Sequence, residues 1–390
     1  MPDILYRVKY RGGYLLALSE YANFTSTEYL STDKSKKKFT DGELNNKLFY
    51  ITADANSATA AENFFELAEN VGSSGSGEQI FTTPGTSSWR APAGVTSVCV
   101  VCVGGGGASG RGINYFGQGG AGGGLAYKND ITVVPGKSYN VTVGAGGAGY
   151  ECGRADCKYA GSISSSNGGT SEVFGTVAGG GQHGGGSDAN ATQPVGGGPS
   201  GIYDGGGTGG TCEGIYTYGR LAGSYSAAVR MSSGGGGAGG YSGAGGKGAG
   251  RPGARRDDLR NATAGSGGGG GGGGSRVVKL TESSSGGAGG GGVGLNGEGS
   301  NGAAGLSDSA TAATTQVDAN VAGGGGSGGG DGNLAPMSGA SHRGGSGGLY
   351  GGGAGSSHGS GSTAGNGGDG GNGAVRIIWG PGRSFPSNAA

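Results

Sequence analysis

Gly94-Val-Thr-Ser-Val-Cys-Val-Val-Cys-Val103, followed directly by Gly104-Gly-Gly-Gly107, sets two different materials side by side in one chain. Val98 to Val103 reads as a β-strand that is apolar on both faces, because β-branched residues dominate and nothing polar interrupts it. The glycines after it have no side chains to bury. Outward from this junction come further strands. Gln79-Ile-Phe-Thr-Thr83 lies upstream; Gly124 to Lys128, Ile131 to Val134 and Ser138 to Val143 lie downstream, the last two joined by the turn Pro135-Gly136. Near the end, Gly373-Ala-Val-Arg-Ile-Ile-Trp379 is again a strand, stopped by Gly380-Pro381. Short strands with glycine and proline turns predict an antiparallel β-sandwich. The glycine runs fall between its strands, as if inserted into one sandwich.

Glycine accounts for 107 of 390 residues, against a usual share of roughly 7 per cent. Residues 1–70 hold only Gly12, Gly13 and Gly42. Collagen is excluded, because runs such as Gly267 to Gly274 break any Gly-X-Y frame and there are ten prolines. Blocks of eight to seventeen residues recur between 179 and 373, separated by ordinary segments. Fixing each glycine costs ~1–2 kcal/mol of backbone entropy. An ordered run therefore needs partners for every amide and carbonyl. Polyproline-II-type helices, three residues per turn and about 3.1 Å per residue, supply them to one another when no Cβ keeps the backbones apart. The expected fold is mainly β: a small α+β unit over 1–70, a linker over 71–77, and a glycine-rich domain over 78–390. That domain comprises sandwich strands in 78–178 and 373–379 and a polyglycine helix bundle over 179–373. Within the first unit, Tyr6 to Leu18 reads as strand–turn–strand, Lys47 to Thr52 as a strand and Ala58 to Asn70 as a short amphipathic helix.

Charge points to no polyanion. Twenty-six basic and twenty-six acidic residues cancel, so nothing draws the chain to nucleic acid or an anionic membrane. No stretch approaches the ~20 apolar residues of a membrane span. The N-terminus, Met-Pro-Asp-Ile-Leu-Tyr-Arg, lacks the basic start and apolar centre of a signal peptide. We expect a protein that stays in the producing cell or leaves as part of a larger particle.

Five cysteines are present. Cys99-Val-Val-Cys102 has a metal-like spacing, but residues three apart on a strand face opposite ways, so both are expected as buried small hydrophobes. Cys152 and Cys157 bracket a loop and are candidates for a disulfide with one another or with Cys212. His183, His342 and His358 sit in or beside glycine runs with no carboxylate or cysteine at ligand spacing, and read as loop histidines. No cofactor or metal is expected. The many Gly-x-Gly-x-x-Gly matches carry no phosphate signal, since none follows a strand and opens a helix. Asn23, Asn140, Asn190 and Asn261 fit the glycosylation pattern, which reads as chance in an Asn/Thr-rich chain.

Trp89-Arg-Ala-Pro-Ala-Gly-Val-Thr-Ser-Val98, Gly122-Gly-Gly-Leu-Ala-Tyr127 and Val134-Pro-Gly-Lys-Ser-Tyr-Asn-Val-Thr-Val-Gly-Ala-Gly-Gly147 resemble the glycine-rich domain of bacteriophage tail-fibre and adhesin proteins. The ending from Gly373 to Asn388 is similar to the C-terminus of structural proteins from T4-like phages, especially those of marine cyanobacteria. The resemblance covers 78–388 and implies a virion surface protein. In it a rigid glycine-rich platform would carry connecting loops to a host glycan or protein. Residues 1–70 would dock to other virion proteins, and such fibres are usually homotrimers. The candidate receptor contacts are the aromatics of the connectors: Tyr115, Phe116, Tyr150, Tyr159, Tyr203, Tyr216, Tyr218, Tyr225 and Tyr241, with Tyr350 beside them. Tyrosines among Asn, Asp, Arg and Ser offer rigid amphipathic contact area; the competing reading is that they cap the ends of the glycine bundle. The expected function is non-enzymatic, a tail-fibre or tip adhesin on the virion surface. A capsid decoration protein and a bacterial extracellular matrix or filament protein are the alternatives.

Overall fold

The computed structural model describes residues 4–8, 28–30, 36–38, 48–51, 65–67, 76–110, 117–150, 165–186, 193–213, 229–250, 261–275, 277–279, 286–306, 321–334, 341–359, 366–387 and 389. These residues are mainly β, and there is no helix among them. In the N-terminal part, β1 (Ile4–Val8), β2 (Glu28–Leu30), β3 (Lys36–Lys38), β4 (Leu48–Ile51) and β5 (Phe65–Leu67) form one antiparallel sheet in the order β3-β2-β4-β1-β5. The strand expected over Lys47 to Thr52 is β4. The helix expected over Ala58 to Asn70 is corrected at Phe65–Leu67, which pairs with β1 through Tyr6↔Leu67 and Val8↔Phe65. Phe65-Glu66-Leu67 alternates apolar and polar with the period of two that a strand requires, and this local pattern overrides the longer helical one. The rest of the helix and the second strand of the 6–18 hairpin lie outside the described residues.

Two further five-stranded antiparallel sheets build the remainder. One has the order β13-β12-β11-β10-β7, from β7 (Gly85–Arg90), β10 (Ser138–Val143), β11 (Ser171–Val173), β12 (Thr176–Ala178) and β13 (Pro199–Gly201). The other is β14-β9-β8-β19-β6, from β6 (Gly77–Phe81), β8 (Ser97–Val103), β9 (Leu125–Thr132), β14 (Gly205–Gly207) and β19 (Ala374–Trp379). Short two-stranded pairs join β15 (Val229–Met231) to β16 (Val277–Lys279) and β17 (Ser341–His342) to β18 (His358–Gly359). The segment expected as a linker runs directly into β6, where Gly77 lies against the Trp379 indole. The two strands expected over 124–128 and 131–134 are one strand, β9. A bulge lies where Val98 and Val100 face Ile131 and Lys128, and Asp130 there takes φ 55°. Pro135-Gly136 makes the expected turn, with Gly136 at φ 76° and the Lys137 amide on the Val134 carbonyl at 3.1 Å.

Strand β8 explains how these sheets are held. Val98, Val100 and Cys102 join Trp89, Val141, Val143, Val173, Val375 and Ile377 in one buried cluster that draws on both sheets. Trp89 is 1 % exposed, with Tyr139, Phe174 and Trp379 rings at 6.0, 5.8 and 5.9 Å. Cys99, Val101 and Val103 face the other way, into a second cluster with Leu125, Ala238, Tyr241, Val293, Leu295, Ile378 and Phe385. Fully burying each aliphatic side chain contributes about 1.5–3 kcal/mol, so a strand buried on both faces is the centre of the apolar stabilisation. The opposite placement of Cys99 and Cys102 agrees with the strand reading.

The second cluster is closed by the chain's last residues. Phe385 stacks on Tyr241 at 6.0 Å, and Asn129, beside the β9 bulge, holds the Phe385 amide and carbonyl at 2.9 and 2.8 Å. Buried Arg376 donates to the Leu295 and Ala389 carbonyls, each at 2.9 Å, and to Glu78 Oε2 at 2.5 Å. Arg383 donates to the same Glu78 oxygen at 2.8 Å and to the same Ala389 carbonyl at 2.9 Å. The tail is thus fastened to the first strand of its sheet. Most of the glycine-rich sequence leaves from β8 and returns to β19, which pair as neighbours with Ala374 opposite Val103. The expected bounds of the insertion, 179–373, are corrected: the glycine runs of 104–110, 117–124 and 144–149 already bond to later ones, and β13 and β14 are sheet strands inside 179–373.

Candidate functional site

The glycine runs between the strands form a network of backbone hydrogen bonds with a repeat of three residues. From 104 to 110 every amide donates to another run. Gly104, Gly107 and Gly110 reach the carbonyls of Gly124, Ala121 and Gln118; Gly105 and Ala108 reach Gly169 and Ser166; Gly106 and Ser109 reach Gly371 and Gly368. The amides of this run thus reach three neighbouring runs, returning to each at every third residue, while its carbonyls at Gly105, Gly106 and Gly107 accept from three others, at Gly181, Gly147 and Ala354. The 117–124 run repeats the pattern. Gly117, Gly120 and Gly123 donate to Ser357, Ala354 and Gly351, while Gln118, Ala121 and Gly124 donate to Gly185, Gln182 and Gly179. Neighbours run either way: 234–240 is antiparallel to 243–249 and parallel to 120–123.

Where a residue's Cβ direction faces a neighbouring run, only glycine allows this spacing. A Cβ on Gly106 would fall on the Gly352 carbonyl, and one on Gly236 on the Gly210 carbonyl. Where a neighbouring carbonyl is missing, a short polar side chain replaces it. Asn372 Oδ1 and Asp369 Oδ1 accept from Gly146 and Gly149, three residues apart, at 2.8 and 2.7 Å. Buried Ser233 accepts from Gly119 at 2.9 Å, and buried Ser109 accepts from Gly368 at 2.8 Å. Unpaired amides at these depths would each cost about 1–3 kcal/mol, which is why serine, asparagine and aspartate punctuate the runs.

The network has two unlike ends. At the sheets, runs begin at Gly104, Gly124, Gly144, Gly179 and Gly373, and neighbouring runs reverse in tight turns. Gly243 and Ser266 carbonyls accept from Gly240 and Gly269 at 2.8 and 2.9 Å, and Gly267, Gly268, Ser327 and Gly328 take positive φ. At the far end, Gly110 meets Gln118, Gly117 meets Ser357, Ser356 meets Ser233, and Gly234 meets Ala249. The runs bordering 111–116, 151–164, 187–192, 214–228, 251–260, 280–285, 307–320, 335–340 and 360–365 all finish at this far end. The described ends of these runs therefore gather at one outer face.

The sequence-selected aromatics divide sharply. Tyr115, Phe116, Tyr159, Tyr216, Tyr218 and Tyr225 belong to connectors outside the described residues. Tyr241 is fully buried, its hydroxyl donating to the Gly294 carbonyl at 3.1 Å and accepting from the Gly297 amide at 3.2 Å. Burial pushes its phenol well up. Tyr150 is 2 % exposed and its carbonyl accepts from Gly367 at 2.6 Å. These two are structural caps and are corrected as contact residues; sequence neighbours alone could not separate a core tyrosine from a displayed one. Tyr350 packs partly buried on the second cluster. Tyr203 is 47 % exposed, but in the turn between β13 and β14, at the sheets. Cys99, Cys102 and Cys212 are free and buried, so Cys212 is no disulfide partner; Cys152 and Cys157 lie outside the described residues. Burial raises the thiols of Cys102 and Cys212, the latter to about 11, so neither is a ready nucleophile. Among the described residues no three or more His, Cys, Asp or Glu side chains gather as a metal cluster, and no helix is long and apolar enough to cross a membrane. A family model described as a glycine-rich domain matches residues 82–294, more than half of the chain. No curated protein matches.

Proposed function

The chain belongs to the glycine-rich domain family, and from that premise we propose that it is a non-enzymatic virion structural protein, a tail-fibre or tip adhesin that holds connecting loops to a host surface. The runs are polyglycine II helices in this reading, inserted into an antiparallel β-sandwich. Support comes from the repeat of three, which matches three residues per turn, and from amides that donate in three directions. The observation that carries the proposal is the common outer face. A scaffold stiffened by backbone amides, with tight turns at the sheets and long connectors at the other end, suits display.

Connector residues Tyr115, Phe116, Tyr159, Tyr216, Tyr218 and Tyr225 are the assigned contacts to a host glycan or protein. Residues 1–70 are assigned to docking on the particle, and the working assembly is a homotrimer on the virion surface. The test is adsorption. Particles carrying Tyr216→Ala with Tyr218→Ala should bind host cells at least tenfold more slowly while keeping normal protein content. Wild-type adsorption removes that loop from the contact set. Immunogold labelling on tail tips supports the adhesin; labelling spread over heads instead favours capsid decoration.

A further inference from the structure

We propose that Asn296 is the site at which the folded chain deamidates, through a succinimide closed by the Gly297 amide, and that the isoaspartate formed there unfastens the C-terminal tail. An asparagine followed by glycine is open to this reaction because no Cβ on the next residue shields the attacking nitrogen. Five such pairs occur, at 167–168, 296–297, 301–302, 366–367 and 372–373. In four of them the glycine amide is already bonded to another stretch of main chain. Gly168, Gly302, Gly367 and Gly373 donate to the carbonyls of Gly181, Gly269, Tyr150 and Gly144 at 2.8, 2.8, 2.6 and 2.9 Å. Three of the asparagine side chains are tied as well. Oδ1 of Asn167, Asn301 and Asn372 accepts from the amides of His183, Gly268 and Gly146 at 2.9, 2.8 and 2.8 Å. Cyclisation at these pairs would first break bonds that hold neighbouring runs together.

Asn296 stands apart. It is exposed in the bend over 295–298, and nothing among the described residues holds its side chain. The Gly297 amide donates to the Tyr241 hydroxyl rather than to a carbonyl, at 3.2 Å, the longest of the five bonds. Glycine is required at 297, where φ is 100° and a Cβ would meet the Pro386 carbonyl. Packing thus fixes a reactive pair in an exposed turn. In the reaction the Gly297 nitrogen attacks Asn296 Cγ. The N–Cγ bond forms, the Cγ–Nδ2 bond breaks, and the amide proton leaves with Nδ2 as ammonia. Water then opens the ring. Attack at Cγ gives aspartate; attack at the Asn296 main-chain carbonyl carbon gives isoaspartate, with an extra methylene in the backbone. The turn is also the seat of the tail. On one side of the altered residue the Leu295 carbonyl accepts from Arg376 at 2.9 Å, and on the other the Glu298 amide donates to the Pro386 carbonyl at 2.8 Å. A backbone lengthened between them cannot keep both bonds in register.

The experiment ages the full chain at pH 8, natively and in denaturant, and maps conversion at the five asparagines by peptide mass spectrometry. Rates in denaturant give the intrinsic reactivity of each pair. Relative to them, native Asn296 should convert at least tenfold faster than the other four. Native conversion at another pair equal to that at Asn296 overturns the site. The isoaspartyl form is then compared with Asn296→Asp, which carries the charge without the added methylene. The Glu298 and Phe385 amides, bonded to Pro386 and Asn129, should exchange hydrogen at least tenfold faster in the isoaspartyl form. Equal exchange overturns release of the tail. Should the variant fail to fold, unaged wild type serves as the reference.

Discussion

At Gly236 the place of a side chain is taken by the Gly210 carbonyl, so an added methyl meets main chain that cannot rotate away. Gly328 is different. No atom lies within 4 Å of its Cβ position, but φ is 78°. Overpacking usually costs 1–3 kcal/mol, and rigid backbone on the far side puts Gly236→Ala at about 3 kcal/mol. Gly328→Ala carries only the left-handed penalty of about 1 kcal/mol. Denaturant melts of both variants check the order; equal losses would contradict close backbone approach as the reason for glycine. Cysteine chemistry gives a second residue-level expectation. Cys99, Cys102 and Cys212 should stay unalkylated in native protein at pH 8 and react once unfolded, as mass spectrometry can map. The opposite faces of Cys99 and Cys102 were legible from strand alternation. The burial of Tyr150 and Tyr241 was not, because their pockets are built by runs distant in sequence.

Among the elements, the C-terminal tail is the one whose fastening depends on ionisation. Glu78 lies below its ordinary value, held there first by the Arg376 hydrogen bond and then by Arg383, with partial burial opposing them. A carboxyl depressed in the folded state adds stability that is complete above its unfolded value. That contribution is lost as pH falls through the folded value, here from about pH 4.5 downward. Half-exposure of Glu78 weakens the effect, so Glu78→Gln should cost about 1–2 kcal/mol at pH 7. Its disadvantage against wild type should shrink at pH 3.5. Denaturant unfolding at both pH values tests the sign. Strands β8, β10 and β19 were readable from their apolar runs, and the Pro135-Gly136 turn from its residues. β7 was missed because Gly85-Thr-Ser-Ser-Trp-Arg90 is polar apart from Trp89; its pairing with β10 makes it a strand. The amphipathic pattern over 58–70 misled at Phe65–Leu67, where a three-residue alternation pairs with β1.

For the whole molecule, the inserted network and the sheets stand or fall together. β19 lies between β8 and β6 and is the last strand made. A chain ending at Gly373 should therefore show no cooperative thermal transition by calorimetry. Hydrogen exchange separates the network from ordinary edge strands. All amides from 104 to 110 are bonded, so that segment should exchange as slowly as Val98–Val103, rather than losing half its amides early. That glycine runs were inserted between strands was legible from their positions. Which run neighbours which was not, since glycine carries no pattern to match. The same repeat of three has a further effect on sequence tolerance. Hydrogen bonding that returns to the same neighbour at every third residue reads no side chain, so the sequence Gly267–Gly274 contains no mark of its own position. Only the interruptions can index it: Ser266 and Ser275 at its ends, and Ala238 and Ala288 in the runs alongside. Moving one alanine by a single place should then do more harm than exchanging whole glycine blocks, because the alanines are the notches that keep each thread from slipping.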